Sequence, residues 1–326
     1  MRAWRARGKI GFNMVKKILL ASPRGFCAGV VRAVDVVRIA LDTFTDPLYV
    51  RKEIIHNPHV VRELGEKGAI FVDSVEDVPE GGRVIFSAHG VSPEVREKAQ
   101  ARSLEVIDAT CPLVTKVHVE AVRYAKQDYT IILIGHDGHD EVIGTMGEAP
   151  KHIRLVETIE DIEDLEVEDP ERVAYITQTT LSLQDTREMV EALRKKFPSV
   201  KGPPSDDICY ATENRQVAVR DLAESSDLIL VVGAAHSSNS VRMVEEARRA
   251  GGSAYLVEDL GAIQDEWLEG VETLGLTSGA SAPESLVQEI VTFFQDQGAT
   301  LEELVVREED VQFALPSNLQ ARVSHT

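Results

Sequence analysis

Lys17-Ile-Leu-Leu-Ala-Ser-Pro-Arg-Gly-Phe-Cys-Ala-Gly-Val30 begins as an apolar run of strand length and crosses a turn marked by Pro and Gly. It then enters a segment with Val30, Val34, Val37 and Leu41 at helical spacing. Strand, short loop and helix open an α/β unit, and here the loop ends in a cysteine set just before the helix. The order recurs at Glu105-Val-Ile-Asp108, which leads through Ala109-Thr-Cys-Pro112 into a helix over Val114 to Ala125. It recurs again from Asp207 through Cys209 into a helix over Arg215 to Ala223. Pro112 occupies a favoured first helical position.

Downstream of each cysteine, two more apolar strands end in loops rich in His, Ser, Thr or Asn. These loops carry His56 and His89 after Cys27, His139 and Thr179 after Cys111, and Ser237 to Asn239 and Ser281 after Cys209. The first offsets are 29, 28 and about 29 residues and the second are 62, 68 and 72, a threefold repeat of layout with little repeat of residue identity. The reading is α/β throughout, with three similar units of about 95 residues in a pseudo-threefold arrangement around one centre. Functional loops of open α/β sheets lie beyond the carboxyl ends of the strands, so each unit would offer one thiol and two polar loops on the same side. The expected division is a flexible extension over 1–13, domains over 14–110, 111–208 and 209–300, and a C-terminal tail over 301–326 that is mobile after Pro316. The acidic stretch from Glu157 to Arg172 reads as a solvated connector.

Composition narrows the function. The 326 residues carry a net charge of −19, which argues against a nucleic-acid partner, since phosphate backbones require a basic face. An anionic small molecule would have to be held by local donors against that field. Apolar stretches such as Leu228 to Ala235 fall far short of the roughly 20 residues of a membrane span. No apolar core of signal-peptide length follows Arg2, Arg5, Arg7 and Lys9, so a cytoplasmic protein with no membrane association is expected. Three cysteines in a reducing compartment do not form a disulfide framework.

Taken singly, each cysteine could be a small buried hydrophobe. Their shared place before a helix suggests more, because a helix N-terminus stabilises the thiolate, the form that binds metal. There is no CxxC pair, which argues against a structural zinc ribbon or finger. Three separate thiolates could hold zinc with one open position, or a [4Fe–4S] cluster with one iron lacking a protein ligand. The polar loops Ile55-His-Asn-Pro58, Ser87-Ala-His-Gly90, Thr177-Gln-Thr-Thr180, Ser237-Ser-Asn-Ser240 and the one at Ser281 have an ordinary role as helix caps or strand ends. Brought together, the same groups and helix N-termini would bind phosphate. Glu141 is the natural proton donor of the set. Neither GxGxxG after the first strand nor a Walker A lysine occurs, so nicotinamide and ATP are not supported.

Several longer motifs are distinctive: Pro23-Arg-Gly-Phe-Cys-Ala-Gly-Val30, Ser87-Ala-His-Gly-Val91, Asp108-Ala-Thr-Cys-Pro-Leu-Val-Thr-Lys-Val117, Thr177-Gln-Thr-Thr-Leu181, Asp207-Ile-Cys-Tyr-Ala-Thr212 and Gly279-Ala-Ser-Ala-Pro283. From about Lys16 to Pro316 the chain resembles the LytB family of 4-hydroxy-3-methylbut-2-enyl diphosphate reductases. The resemblance implies the last step of the non-mevalonate isoprenoid pathway. It implies a central [4Fe–4S] cluster held by Cys27, Cys111 and Cys209, with one iron free to meet the substrate hydroxyl. Glu141, Thr179 and His139 would be catalytic. His56, His89, His139, Thr180, Ser237, Ser238, Asn239 and Ser281 would bind the isoprenoid diphosphate, and ferredoxin or flavodoxin would supply electrons. Asp140 stands where the family usually has Pro and Ile143 where it often has Glu; a carboxylate at 140 is expected to raise the pKa of Glu141. Ala235-His236 is a milder variation. From other classes, a non-catalytic metal-cluster sensor and a zinc-dependent diphosphate hydrolase remain alternatives. A sensor would need no such set of polar loops.

Overall fold

The computed structural model describes residues 15–323, so the extension expected over 1–13 lies outside the described residues. The chain is α/β, and its described residues form three sheets whose strands all run parallel. It forms two compact units. One holds the described residues up to Cys27 together with Tyr210–Asp310; the other holds Ala28–Cys209 and the described residues from Val311. Among the described residues no helix is long and apolar enough to cross a membrane.

The first unit is built on β1 (Lys17–Ser22), β9 (Leu228–Val232), β10 (Ala254–Val257), β11 (Thr273–Ser278) and β12 (Thr300–Val305), in the order β10-β9-β11-β1-β12. Side chains alternate across the strands. Ile18, Leu20, Leu230, Leu274 and Leu276 pack on one face with Val287, Ile290 and Phe294 of α10 (Glu284–Gln295). Leu19, Ala21, Ile229 and Val231 pack on the other with α8 (Tyr210–Ser225) and α9 (Ser238–Arg249). Burial on both faces explains why these strands read as unbroken apolar runs.

Two features differ from the expected division. Lys17–Ser22, expected to lead the first domain, pairs with β11 and β12 in this sheet. A strand apolar on both faces demands an interior place under helices on both sides, and chain proximity does not decide which sheet supplies it. Part of the expected tail, Thr300–Val305, is the edge strand of the same sheet. Its charged, mostly exposed residues, including Glu302 and Glu303, suit an edge but hide the strand from a pattern reading. Further along, α11 (Ser317–Val323) buries Leu319, and Asn318 Nδ2 donates to the Val106 carbonyl at 2.9 Å.

Arg215 of α8 is fully buried in the first unit. Its guanidinium donates to the carbonyl of Gly25 at 2.7 Å, to that of Ala211 at 3.0 Å and to the Glu309 carboxylate at 3.0 Å. Gly25 takes φ +65, a conformation that favours glycine, and donates its N–H to Ser278 Oγ at 2.8 Å. The loop leading to Cys27 is thereby pinned. Arg215→Met would take the charge partner from the Glu309 carboxylate, leaving it the Asn214 amide, and the guanidinium from the Gly25 carbonyl, so we expect a loss of about 3 kcal/mol in urea unfolding. A loss below about 1 kcal/mol, the median worth of an exposed pair, would show that the contact is dispensable.

The second unit holds two sheets. One contains β2 (Leu48–Arg51), β3 (Ala69–Val72), β4 (Arg83–Phe86) and β5 (Glu105–Asp108) in the order β3-β2-β4-β5; the other contains β6 (Thr130–Ile134), β7 (Ile153–Val156) and β8 (Val173–Thr177) in the order β7-β6-β8. Its helices are α1 (Ala28–Thr43), α2 (Pro58–Glu66), α3 (Pro93–Ala101), α4 (Pro112–Ala125), α5 (Asp140–Glu148), α6 (Ile159–Asp164) and α7 (Leu183–Lys196), besides α11. The stretch expected as a solvated connector contains α6. Thr158 and Asp161 cap it reciprocally and Ile162 anchors it in the core, a local signature that outweighs the acidic composition.

Candidate active site

Each cysteine stands directly before a helix: Cys27 before α1, Cys111 as the N-cap of α4, and Cys209 before α8. The segment before Cys209 is not one of the named strands, although Lys201 makes an isolated bridge with Ala174. All three are part-buried thiols outside any disulfide.

Loops that follow neighbouring parallel strands lie side by side, and the strand orders therefore account for the site contacts within each sheet. Beside β2 and β4, the rings of His56 and His89 stack with centroids 4.0 Å apart and planes 17° from parallel. From the β5 loop, the N–H of Cys111 donates to the Ala88 carbonyl at 2.9 Å. Gly90, at φ +79, closes the loop after β4 where a Cβ would lie 3.1 Å from His118 Cε1.

His139, the N-cap of α5, accepts the Glu141 N–H on Nδ1 at 3.2 Å. It stands edge-on to His56 and His89 at centroid distances of 5.3 and 6.0 Å. His56, His89 and Asp140 have potential ligand atoms within 4.8 Å of one another. A metal held by imidazole lies in the ring plane, however, and two stacked planes share no such point. This arrangement suits donation to an anion better. Burial lowers the pKa of His139 to about 4, with His56 adding to the effect and Asp140 opposing it. The unfolded chain binds this proton near pH 6.5 and the folded one only near pH 4, so folding stability is expected to decline as pH falls through that window. His139→Gln should flatten that part of a stability–pH curve measured by urea unfolding; an unchanged slope would contradict the assignment.

Glu141 is buried, although it lies in the first turn of α5. Its Oε1 accepts the Thr179 N–H at 2.7 Å and its Oε2 accepts the Thr179 hydroxyl at 2.9 Å, a pairing set up by adjacent β6 and β8. Burial pushes its pKa up to about 7; the two Thr179 bonds oppose the rise and the charge of Asp207 adds to it. Asp140 is not among the causes, contrary to the sequence expectation, and its carboxylate is instead ion-paired with Lys52. The Thr179 carbonyl accepts the Cys209 N–H at 3.0 Å, which links the acid to a cysteine segment through one residue. Thr180 lies beside this chain, its hydroxyl accepting from Gln178 Nε2 at 3.0 Å.

In the first unit, β9 and β11 bring Ser237 and Ser281 together with their hydroxyls 3.3 Å apart, and Ser240 Oγ donates to Ser237 at 3.1 Å. Ser237 is the N-cap of α9, yet its side chain makes no capping bond, so the ordinary role of a serine there is not the one realised. Asn239 Oδ1 accepts the Ala280 N–H at 2.9 Å, and the next carbonyl contact, Cys27 N–H to the Ala280 oxygen at 3.3 Å, follows from β11 lying beside β1. Ser237, Asn239 and Ser281 are buried, and Ser238 is part-exposed. Sequence reading missed Gln178, Ser240 and Lys52. The first two lie within quoted motifs, whereas Lys52 carries no local signal.

A family model described as LytB protein matches residues 18–295. A 4-hydroxy-3-methylbut-2-enyl diphosphate reductase of Leifsonia xyli subsp. xyli is 55% identical over 311 residues, covering 95% of this chain and 92% of that protein. The solved E-1-hydroxy-2-methyl-but-2-enyl-4-diphosphate reductase of Plasmodium falciparum superposes with a TM-score of 0.92 at 40% identity, covering 95% of this chain and 99% of that one. A second solved structure, of an (E)-4-hydroxy-3-methyl-but-2-enyl diphosphate reductase described as the terminal enzyme of the non-mevalonate pathway, has a TM-score of 0.63 at 33% identity. It covers 86% of this chain and 100% of that one.

Proposed function

Because this chain belongs to the LytB family, we propose the residues through which it carries out that family's reaction. The activity is reduction of 4-hydroxy-3-methylbut-2-enyl diphosphate: two electrons and two protons remove the hydroxyl as water, giving isopentenyl and dimethylallyl diphosphates in the last step of the non-mevalonate pathway.

The donor set fits an iron–sulfur cluster. Cys27, Cys111 and Cys209 are three part-buried thiols at helix starts, soft donors of the kind that hold iron–sulfur clusters. A [4Fe–4S] cluster has four irons and the chain has three cysteines, so one iron would lack a protein thiolate. When bound, the cluster would supply electrons and polarise the substrate's C–O bond. The polypeptide does the rest. Glu141, with a pKa near the working pH, holds a proton for the departing hydroxyl, and Thr179 fixes that carboxyl group through two hydrogen bonds. His139 braces the start of α5 through the Glu141 amide. His56, His89, His139, Thr180, Ser237, Ser238, Asn239 and Ser281 are the diphosphate donors. None of them is a carboxylate, as required of a chain with net charge −19 that binds an anion.

The observation that carries the reading is the Glu141–Thr179–Cys209 chain, which ties a buried acid of suitable pKa to a cysteine segment. Ferredoxin or flavodoxin is the proposed electron donor. A cytoplasmic location suits thiolates that must stay reduced. Anaerobic purification followed by iron and sulfide analysis and a dithionite-driven assay with the hydroxylated diphosphate tests this reading. We expect about four irons and four sulfides per chain and turnover to both alkenyl diphosphates. Zinc in place of iron, with release of inorganic pyrophosphate, would overturn it.

A further inference from the structure

We propose that Lys116 is a positioning residue that fixes the Cys209 segment against the helix begun by Cys111. The inference rests on the reading of both cysteines as cluster ligands. Lys116 lies in α4, five residues beyond its N-cap Cys111. Its ammonium donates to three consecutive residues: the carbonyl of Ser205 at 2.7 Å, the carbonyl of Asp206 at 2.9 Å and Oδ1 of Asp207 at 3.0 Å. The last of these stands two residues before Cys209.

The other end of this brace is equally fixed. The Asp207 side chain is fully buried, and its Oδ2 accepts the N–H of Thr177 at the end of β8 at 3.0 Å. Two residues after Thr177, the Thr179 carbonyl accepts the Cys209 N–H. The segment leading to Cys209 is thus held by Lys116 from the Cys111 helix and by β8 from its own sheet. Within Lys201-Gly-Pro-Pro-Ser-Asp206, Lys201 is bridged to β8 and the Gly202 carbonyl accepts from the Tyr124 hydroxyl at 2.6 Å, whereas Pro204, Ser205 and Asp206 are exposed and Lys116 reaches the last two. A lysine so deep in hydrogen bonds contributes a fixed positive charge as well as a tether. The charge would favour the more negative, reduced state of a cluster on the adjacent thiolates.

Lys116→Gln and Lys116→Arg, each compared with the wild type, separate the tether and charge from mere bulk. In the apo proteins we expect amide exchange over residues 202–209 to rise about tenfold for Lys116→Gln and to stay near wild type for Lys116→Arg, as for loss of a charge-assisted bond. After anaerobic reconstitution, Lys116→Gln should lose its cluster to a chelator about tenfold faster, as for loss of a supporting contact outside the ligands. Its reduction potential should also move negative, and arginine should restore both values. Exchange and cluster loss of Lys116→Gln within about twofold of wild type would overturn the inference and leave the cluster reading intact, twofold being well short of a charge-assisted bond. If Lys116→Gln does not fold, Asp207→Asn replaces it, since it removes the carboxylate and leaves both carbonyl bonds. Cluster loss faster than wild type would support the brace, and an unchanged rate would overturn it. A wild-type protein that takes up no cluster would overturn both the inference and the reading beneath it.

Discussion

Cys209→Ser is expected to fold like the wild type yet to bind little iron and to show turnover reduced at least ~100-fold. That bound follows because losing a contact outside the ligand shell alone typically costs 10- to 100-fold, and a direct ligand matters more. Serine preserves the shape of the residue. It also preserves the Cys209 N–H bond to the Thr179 carbonyl, so the segment should keep its course. A serine hydroxyl, however, does not ionise near neutral pH and is a hard donor where iron and sulfide require a soft one. Cys27→Ser and Cys111→Ser should behave alike, because each cysteine holds the equivalent place before a helix. Iron content, circular dichroism and anaerobic turnover of the three variants together check the prediction. Full activity in any one of them would remove that residue from the ligand set.

Glu141→Gln is expected to lower kcat at least ~100-fold with KM changed only a few-fold, the range for loss of a positioned general acid. The amide keeps an oxygen for the Thr179 N–H and can donate to the Thr179 hydroxyl, so the geometry survives while the transferable proton does not. The pH dependence gives a second signature. Burial holds the Glu141 pKa up at about 7, so the wild-type rate should fall as pH rises through 7, whereas the residual rate of the variant should not follow that curve. Stability carries the same sign. Between the ordinary value of 4.5 and about 7 the folded protein holds a proton that the unfolded chain has released, so the Glu141 contribution to stability declines with rising pH there, opposite in sign to that of His139, and glutamine should remove it. Steady-state kinetics from pH 6 to 8 and urea unfolding across the window from 4.5 to about 7 decide the matter. Unchanged kcat would remove Glu141 from catalysis.

What could be read from the sequence followed from what is local. Strand, polar loop and helix are encoded within some twenty residues, so the placing of Cys27 and Cys111 at helix starts, and of His56, His89, His139 and Ser237 in loops beyond strand ends, needed no knowledge of distant partners. The layout of Cys209 was read correctly at its helix but not at its approach, which lacks a strand of its own. Strand pairing is not local. Nothing in Lys17–Ser22 says that its neighbours are residues 273–276 and 300–305, and the polar face of Thr300–Val305 conceals an edge strand. Buried charges were the hardest to foresee. Arg215, Lys116 and Asp207 look like surface residues in sequence, and they are buried or braced because acceptors from remote segments meet them. The effect assigned to Asp140 failed for a similar reason, since Lys52 from another loop neutralises the carboxylate that was expected to act on Glu141.

The central claim is that three thiolates hold one four-iron cluster and leave one iron for the substrate. Mössbauer spectra of anaerobically prepared, ⁵⁷Fe-enriched protein, recorded before and after addition of the hydroxylated diphosphate, address it directly. The account predicts four irons in a 3:1 pattern, with only the single-iron component changing when substrate is added. Four equivalent irons, or a spectrum indifferent to substrate, would contradict it.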